Sequence, residues 1–213
     1  MASLFITFEG IDGSGKSTQA RMLADRLKAD GQDTLLTREP GGSPGAEEIR
    51  QLVLTGEPDR WSVETEMLLF NAARRDHIEK TVDPALADGK VVICDRFVDS
   101  SRIYQGTTRG DLRAKVDALH DLMIGREPDV TFIIDMDPEL GLKRGLARVG
   151  AEQRFEDFGV DLQETARHGF LNIAHQFPER CIVIEGNRTP DEVAAEIYVQ
   201  YTARIAELSS RHA

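Results

Sequence analysis

Cysteine is scarce: Cys94 and Cys181 are the only two in 213 residues, each inside an apolar run. Two such thiols make no disulfide framework and read as buried groups of a reducing compartment, so a cytoplasmic location is expected. Positive charge is also short. The 26 lysines and arginines face 37 aspartates and glutamates, a formal net charge of −11, which argues against nucleic acid or an anionic membrane as partner. Long apolar runs are missing. Nothing approaches the ~20 apolar residues of a membrane span. The N-terminal run is short, lacks a basic leader and feeds a glycine-rich loop, so it does not read as a signal peptide. Neither internal repeats nor low-complexity tracts are visible. His77, His120, His168, His175 and His212 show no metal-ligand spacing, and no role is assigned to them.

What is present starts at the N-terminus. Gly10, Gly15, Lys16 and Ser17 fill the fixed positions of G-x-x-x-x-G-K-[ST] within Phe8-Glu9-Gly10-Ile11-Asp12-Gly13-Ser14-Gly15-Lys16-Ser17-Thr18. In such a loop, backbone N–H groups surround phosphate oxygens at the start of a helix. The glycines allow close approach of an anion, the lysine puts a cation on the β- and γ-phosphates, and the serine hydroxyl can ligate Mg²⁺. Leu4 to Phe8 supplies the preceding strand and Gln19 to Lys28 the following helix. The ATP-binding set is therefore Gly10, Asp12, Gly13, Ser14, Gly15, Lys16, Ser17 and Thr18. Asp12 is out of place, because phosphate repels a carboxylate unless a cation or hydroxyl donor offsets it.

Further along, Thr34 to Thr37 reads as a second strand and Arg38 to Gly45 as a shaped loop rich in glycine and proline. Ala46 to Leu54 is expected as a short helix, and Val63 to Leu86 as a longer one that Pro84 kinks or ends. Val91 to Cys94 and Val130 to Ile134 are continuous apolar runs suited to strands buried on both faces, each followed by an acid, Asp95 or Asp135. Between them Asp99 to Gly125 is helix-rich. Pro138 to Arg148 looks helical, Val149 to Gly159 is charged and punctuated by glycine, and Leu162 to Phe177 is helical again. Cys181 to Glu185 is a fifth strand. Thr189-Pro190-Asp191-Glu192 is a capping box that opens a final helix. Alternation of this kind predicts an α/β fold: a five-stranded parallel sheet with helices on both faces, the phosphate loop at its centre. Residues 1–213 form a single domain in this reading, with a short mobile lid at about 143–159.

Several side chains then suggest a second, acceptor subsite. Arg38 and Arg96 stand at strand ends, where two guanidiniums can fork onto a phosphate; a surface ion pair is the competing reading for each. Asp95 is placed to hold Mg²⁺ with Ser17, or else to pair with a neighbouring cation. Phe70 and Arg74, four apart on a helix, share a face that offers an aromatic plane beside a planar donor, which suits a pyrimidine; alternatively Phe70 is core and Arg74 is solvated. A GTPase is disfavoured because no asparagine begins Asn-Lys-x-Asp: Asn71, Asn172 and Asn187 precede Ala, Ile and Arg.

Taken together, Gly10 to Thr18, Arg38-Glu39-Pro40-Gly41-Gly42, Phe70-Asn71-Ala72-Ala73-Arg74 and Asp95-Arg96-Phe97 with Ser100 to Gly106 resemble bacterial thymidylate kinases, nearly end to end. The resemblance implies a nucleoside monophosphate kinase fold and an enzyme, usually a cytoplasmic homodimer, that transfers the γ-phosphoryl of ATP to dTMP with Mg²⁺. It implies that Asp12 meets the 3′-hydroxyl of dTMP or approaches the metal, that Phe70 stacks on thymine and that Arg74 bonds its carbonyl edge. Ser101 is expected beside the base. Tyr104 is expected against the sugar, where it would obstruct a ribose 2′-hydroxyl. In this family a catalytic arginine comes from the phosphate loop or from the lid. Here Gly13 follows Asp12, so Arg148 and Arg154 of the lid are expected to act with Lys16 and Arg96, a charged solvent-facing helix being the alternative. No general base is needed, because the acceptor phosphate is already ionised near neutral pH.

Overall fold

The computed structural model describes residues 3–57, 59–108, 110–146 and 159–211. Apolar runs become the strands β1 (Leu4–Glu9), β2 (Thr34–Arg38), β3 (Val91–Asp95), β4 (Val130–Asp135) and β5 (Cys181–Glu185). Every pairing is parallel, in the order β2-β3-β1-β4-β5. β1 is therefore central, and the loop leaving its C-terminal end sits at the middle of the sheet edge where ligands collect.

Two-residue periodicity assigns the side chains to layers. Leu4, Ile6 and Phe8 of β1, Val91 and Ile93 of β3, and Val130, Phe132 and Ile134 of β4 share one core. Helix α1 (Lys16–Ala29) covers it with Leu23 and Leu27, and the last helix, α9 (Pro190–Arg211), with Val193, Ile197 and Tyr201. Alternate residues face the other way. Phe5, Val92 and Cys94 meet Ile78, Val82 and Phe97, while Ile133 meets Ile103, Phe170 and Ile173.

Helices α2 (Pro44–Leu54) and α3 (Val63–His77) follow β2. α2 begins two residues before the sequence suggests, because Pro44 takes the first helical turn, where no N–H is needed. The expected long helix from Val63 does not run straight to its end. Pro84 has no N–H to donate, and the chain passes through a π-helical turn, Ile78–Val82, into the short helix α4 (Asp83–Ala87). The stretch after β3 forms α5 (Val98–Tyr104) and α6 (Arg113–Met123). α7 (Pro138–Leu146) follows β4, and α8 (Gly159–Gln176) precedes β5. The capping box forms as expected: the Thr189 N–H donates to Glu192 at 3.0 Å and the Glu192 N–H to the Thr189 hydroxyl at 3.4 Å.

α5 is fastened to the sheet by charge. Asp99 accepts from Arg102 at 2.8 Å and from Arg180 at 2.7 and 3.0 Å, and Arg180 also donates to Thr131 at 2.9 Å. Arg102 reaches Asp117 at 2.7 Å and Glu127 at 2.5 Å. No helix among the described residues is long and apolar enough to cross a membrane.

The sheet's central layer sets stability. Phe132 is fully buried, 5.3 Å centroid to centroid from Phe8. Phe132→Ala should lower unfolding free energy by about 3–5 kcal/mol, measured by urea denaturation with unchanged slope.

Candidate active site

The C-terminal ends of β1, β2 and β3 open onto one cavity of about 210 Å³. Asp12, Gly13, Gly15, Lys16, Ser17, Arg38, Phe70, Arg74, Asp95, Arg96, Ser101 and Tyr104 all line it. The sequence-derived phosphate-binding and acceptor residues thus converge from five separate segments. Gly10, Ser14 and Thr18 do not line this cavity. Gly10 lies behind it, where an added Cβ would come 2.6 Å from the Ile134 carbonyl oxygen. Gly13, at φ +77°, could carry no side chain either: its Cβ would come 1.9 Å from the carbonyl oxygen of Gly141 in α7. Arg148 and Arg154, with residues 147–158 of the lid expected at about 143–159, lie outside the described residues.

Lys16 is buried and donates to the Ile11 carbonyl at 2.7 Å. Burial, helped by nearby Arg96, brings its pKa down to about 8 against the pull of Asp12 and Asp95. The cation that Asp12 requires is Arg96, whose guanidinium hydrogen-bonds the Asp12 carboxylate. Arg96 has φ +71°, uncommon for a side-chain-bearing residue. Its N–H still joins the sheet by donating to the Phe8 carbonyl at 3.0 Å. The guanidinium donates to Ser100 Oγ at 3.0 Å and lies 5.3 Å from the Tyr104 ring centroid.

Glu9 stands behind this turn and was not singled out from the sequence. Its carboxylate accepts from the Phe97 N–H at 2.7 Å, the Ser100 N–H at 3.2 Å and the Ser100 hydroxyl at 2.6 Å. Burial and the charge of Asp99 push its carboxyl up to about 7, although Ser100 and Arg96 oppose them.

Glu39 is the second buried carboxylate that was missed. Arg74 is neither solvated nor loose: at 2% exposure it donates from Nε to Glu39 at 2.7 Å and from one terminal nitrogen to Ser101 Oγ at 3.1 Å. His77, given no role from the sequence, lies 3.0 Å from Glu39 through Nδ1 and 2.8 Å from Thr37 Oγ1 through Nε2. Burial would raise the Glu39 carboxyl, but Arg74 and His77 outweigh it and hold it below its ordinary range. Phe70 is half-buried at the cavity wall rather than core.

Arg38 forms the ion pair that was its competing reading, with Glu47 at 3.0 and 3.2 Å, while still lining the cavity. Arg50, a further cation on the wall, donates to the Pro40 carbonyl at 2.6 Å. Asp95 has one carboxylate oxygen, Oδ1, buried without a hydrogen-bond partner among the described residues. The acid tip of β4 is different: Asp135 is held by Arg167 at 2.6 and 2.8 Å and lies off the cavity. Gln105 also lines the wall, with its Nε2 donating to Glu66 at 2.9 Å. Only the spacing of Ser101 and Gln105 on one helical face hinted at it.

A phosphate loop beside a cation-lined acceptor cavity is the layout of a nucleotide phosphotransferase, and sequence comparison decides which. The thymidylate kinase family model matches residues 8–197. The chain belongs to the thymidylate kinase family. The thymidylate kinase of Ruegeria pomeroyi is 67% identical over 194 residues, covering 91% of this chain and 92% of that one. That of Dinoroseobacter shibae is 66% identical over 197 residues, covering 92% and 95%. The crystal structure of thymidylate kinase from Ehrlichia chaffeensis superposes with a TM-score of 0.76 at 37% identity, covering 94% of this chain and 99% of that one.

Glu39 is the testable hinge of this site. Its pKa is lowered on folding, so its stabilisation is complete above the ordinary value of 4.5 and is lost as pH falls through the lowered native value. Glu39→Gln should cost about 3–5 kcal/mol at neutral pH by leaving Arg74 unpaired. In a stability-against-pH series the variant should also lack the acid-side loss attributable to this group.

Proposed function

We propose that this cavity is where ATP phosphorylates dTMP to dTDP, with the acceptor phosphate held at Arg96 and the pyrimidine between Phe70 and Arg74. Family membership carries the reaction, and the geometry supports the roles. The supporting observation is convergence: Asp12, Arg74 and Arg96, far apart in sequence, line one cavity beside Lys16 and Ser17.

The phosphate loop and Lys16 hold the ATP phosphates. Burial brings the Lys16 ammonium down to about 8, and an arriving phosphate favours its charged form. Arg96 offers a planar fork to the 5′-phosphate of dTMP, and Arg38 can leave its exposed pair with Glu47 to join it, since such a pair is weak. Incoming phosphate then competes with Asp12 for Arg96. The carboxylate, once displaced from Arg96, accepts from the 3′-hydroxyl or faces the metal. Arg74, already aimed by Glu39 and Ser101, donates to a base carbonyl, and Phe70, one turn earlier on α3 and lining the same cavity, offers its ring as a stacking surface. Tyr104 closes the sugar side.

Mg²⁺ suits the corner between Ser17 and Asp95. Both line the cavity, and the unpartnered, buried Asp95 oxygen is the kind of hard donor that ion takes. No group of three or more His, Cys, Asp or Glu side chains gathers as a metal site among the described residues, which fits an ion completed by phosphate oxygens and water. When bound, the ion neutralises phosphate charge. The catalytic arginine is assigned to the lid, Arg148 or Arg154, because the Gly13 position has no room for a side chain.

A cytoplasmic homodimer is part of the proposal. Leu68 on α3 and Leu122 and Met123 on α6 are exposed on two helices that pack together, a face suited to a second copy. Both cysteines are free and buried, as expected in a reducing compartment.

The test is ADP formation from ATP and Mg²⁺ with dTMP, dUMP, UMP, CMP, AMP and GMP offered separately to wild type and Arg74→Ala. The expected result is preference for dTMP, reduced at least about a hundredfold in the variant by loss of a buried charged donor. Efficient use of a different acceptor, or ATP binding without acceptor-dependent turnover, would contradict the proposal.

A further inference from the structure

We propose that Glu66 fixes the orientation of the Gln105 side-chain amide, and thereby makes the cavity select a pyrimidine carrying hydrogen on N3. The inference rests on the cavity being the acceptor site described above. Gln105 is 2% exposed and Glu66 is 0% exposed, with Nε2 of the one donating to Oε1 of the other at 2.9 Å. Elsewhere an amide side chain can turn to present either its oxygen or its nitrogen. Beside a carboxylate that freedom disappears, because an ionised carboxylate only accepts. Nε2 must face Glu66. The amide oxygen is then left as the group available to the cavity that Gln105 lines; it has no hydrogen-bond partner among the described residues and is not sealed off among the buried unpartnered atoms.

The placement is ordered by helix geometry. Glu66, Phe70 and Arg74 occupy successive turns of one face of α3, each four residues on. Ser101 on α5 and Gln105, which caps the C-terminal end of α5, repeat the spacing, with the Gln105 N–H donating to the Ser101 carbonyl at 3.1 Å. Arg74 bridges the two helices by donating to Ser101 Oγ at 3.1 Å. The wall therefore presents a donor, Arg74, and an acceptor, Gln105 Oε1. A thymine edge, with a carbonyl at position 4 and N–H at position 3, is its complement. A cytosine edge, with an amine at position 4 and a bare nitrogen at position 3, opposes both. Arg74 reads position 4 and Gln105 position 3. Glu66 reads neither; it is a positioning residue acting through Gln105.

Glu66→Gln separates this role from a structural one, since a carboxamide at 66 can donate as well as accept and lets the Gln105 amide turn either way. The measurement is kcat/KM for dTMP and for 5-methyl-dCMP, which differ only at positions 3 and 4, with ATP and Mg²⁺. The ratio does not depend on the fraction of protein folded. It should fall about tenfold in Glu66→Gln, the cost of losing discrimination at one hydrogen bond. Gln105→Met, which removes the acceptor altogether, should lower the ratio at least as far, and adding Glu66→Gln to it should change the ratio no further. An equal loss on both substrates in Glu66→Gln, or an unchanged ratio in Gln105→Met, would overturn the inference. Failure of the wild type to phosphorylate dTMP would instead defeat the functional proposal itself.

Discussion

A cavity that is to receive phosphates, as proposed here, must keep its cations charged and aimed while no phosphate is present. Desolvation works against that, as the lowered pKa of Lys16 records. The chain answers with carboxylates placed behind or beside Arg38, Arg74 and Arg96. Glu39 holds Arg74 at 2.7 Å, Asp12 pairs with Arg96, and Glu9 braces the turn after Arg96 through Ser100 and two backbone N–H groups. Arg74 is thereby aimed before any ligand arrives, and Arg96 is held charged at the cavity until, in the proposal, a phosphate displaces Asp12; fixed charges of this kind are the condition for electrostatic catalysis of phosphoryl transfer. The acidic net charge of the whole chain is no obstacle, since the local arrangement sets the field in the cavity.

The fold serves that arrangement directly. Parallel pairing puts the C-terminal ends of β1, β2 and β3 side by side, so Glu9, Arg38 with Glu39, and Asp95 with Arg96 leave the sheet at one edge. α3 and α5 then supply the wall of the cavity that is proposed to receive the pyrimidine. The Asp99, Arg102 and Arg180 network fastens α5 against β4, with Asp99 accepting from both arginines.

Much of this was legible in the residues. The phosphate loop, the alternation of strands and helices, and the pairing of Phe70 with Arg74 each follow from local spacing, and spacing survives folding. The buried carboxylates were not legible. Glu9 sits beside the phosphate motif and Glu39 beside Pro40, but nothing local says that a strand-end acid will be buried against an arginine 35 residues away. His77 was passed over for the same reason: its partners Glu39 and Thr37 are contributed by β2 and the loop after it. The bend at Ile78–Val82 was readable in part, since Pro84 marks it, whereas the π-helical form depends on how the helix continues. Asp95 and Asp135 look alike in sequence; topology separates them, because β3 borders the cavity and Asp135 of β4 is neutralised by Arg167.

The central claim is that Arg96 is the seat of the acceptor's 5′-phosphate. The most direct test is equilibrium binding of dTMP and of thymidine, which lacks that phosphate, to wild type and to Arg96→Lys. Lysine keeps the charge but not the planar fork. The account predicts that the advantage of dTMP over thymidine falls by about tenfold or more in the variant, with thymidine binding little changed. An advantage that stays the same in Arg96→Lys would place the phosphate elsewhere and contradict the account.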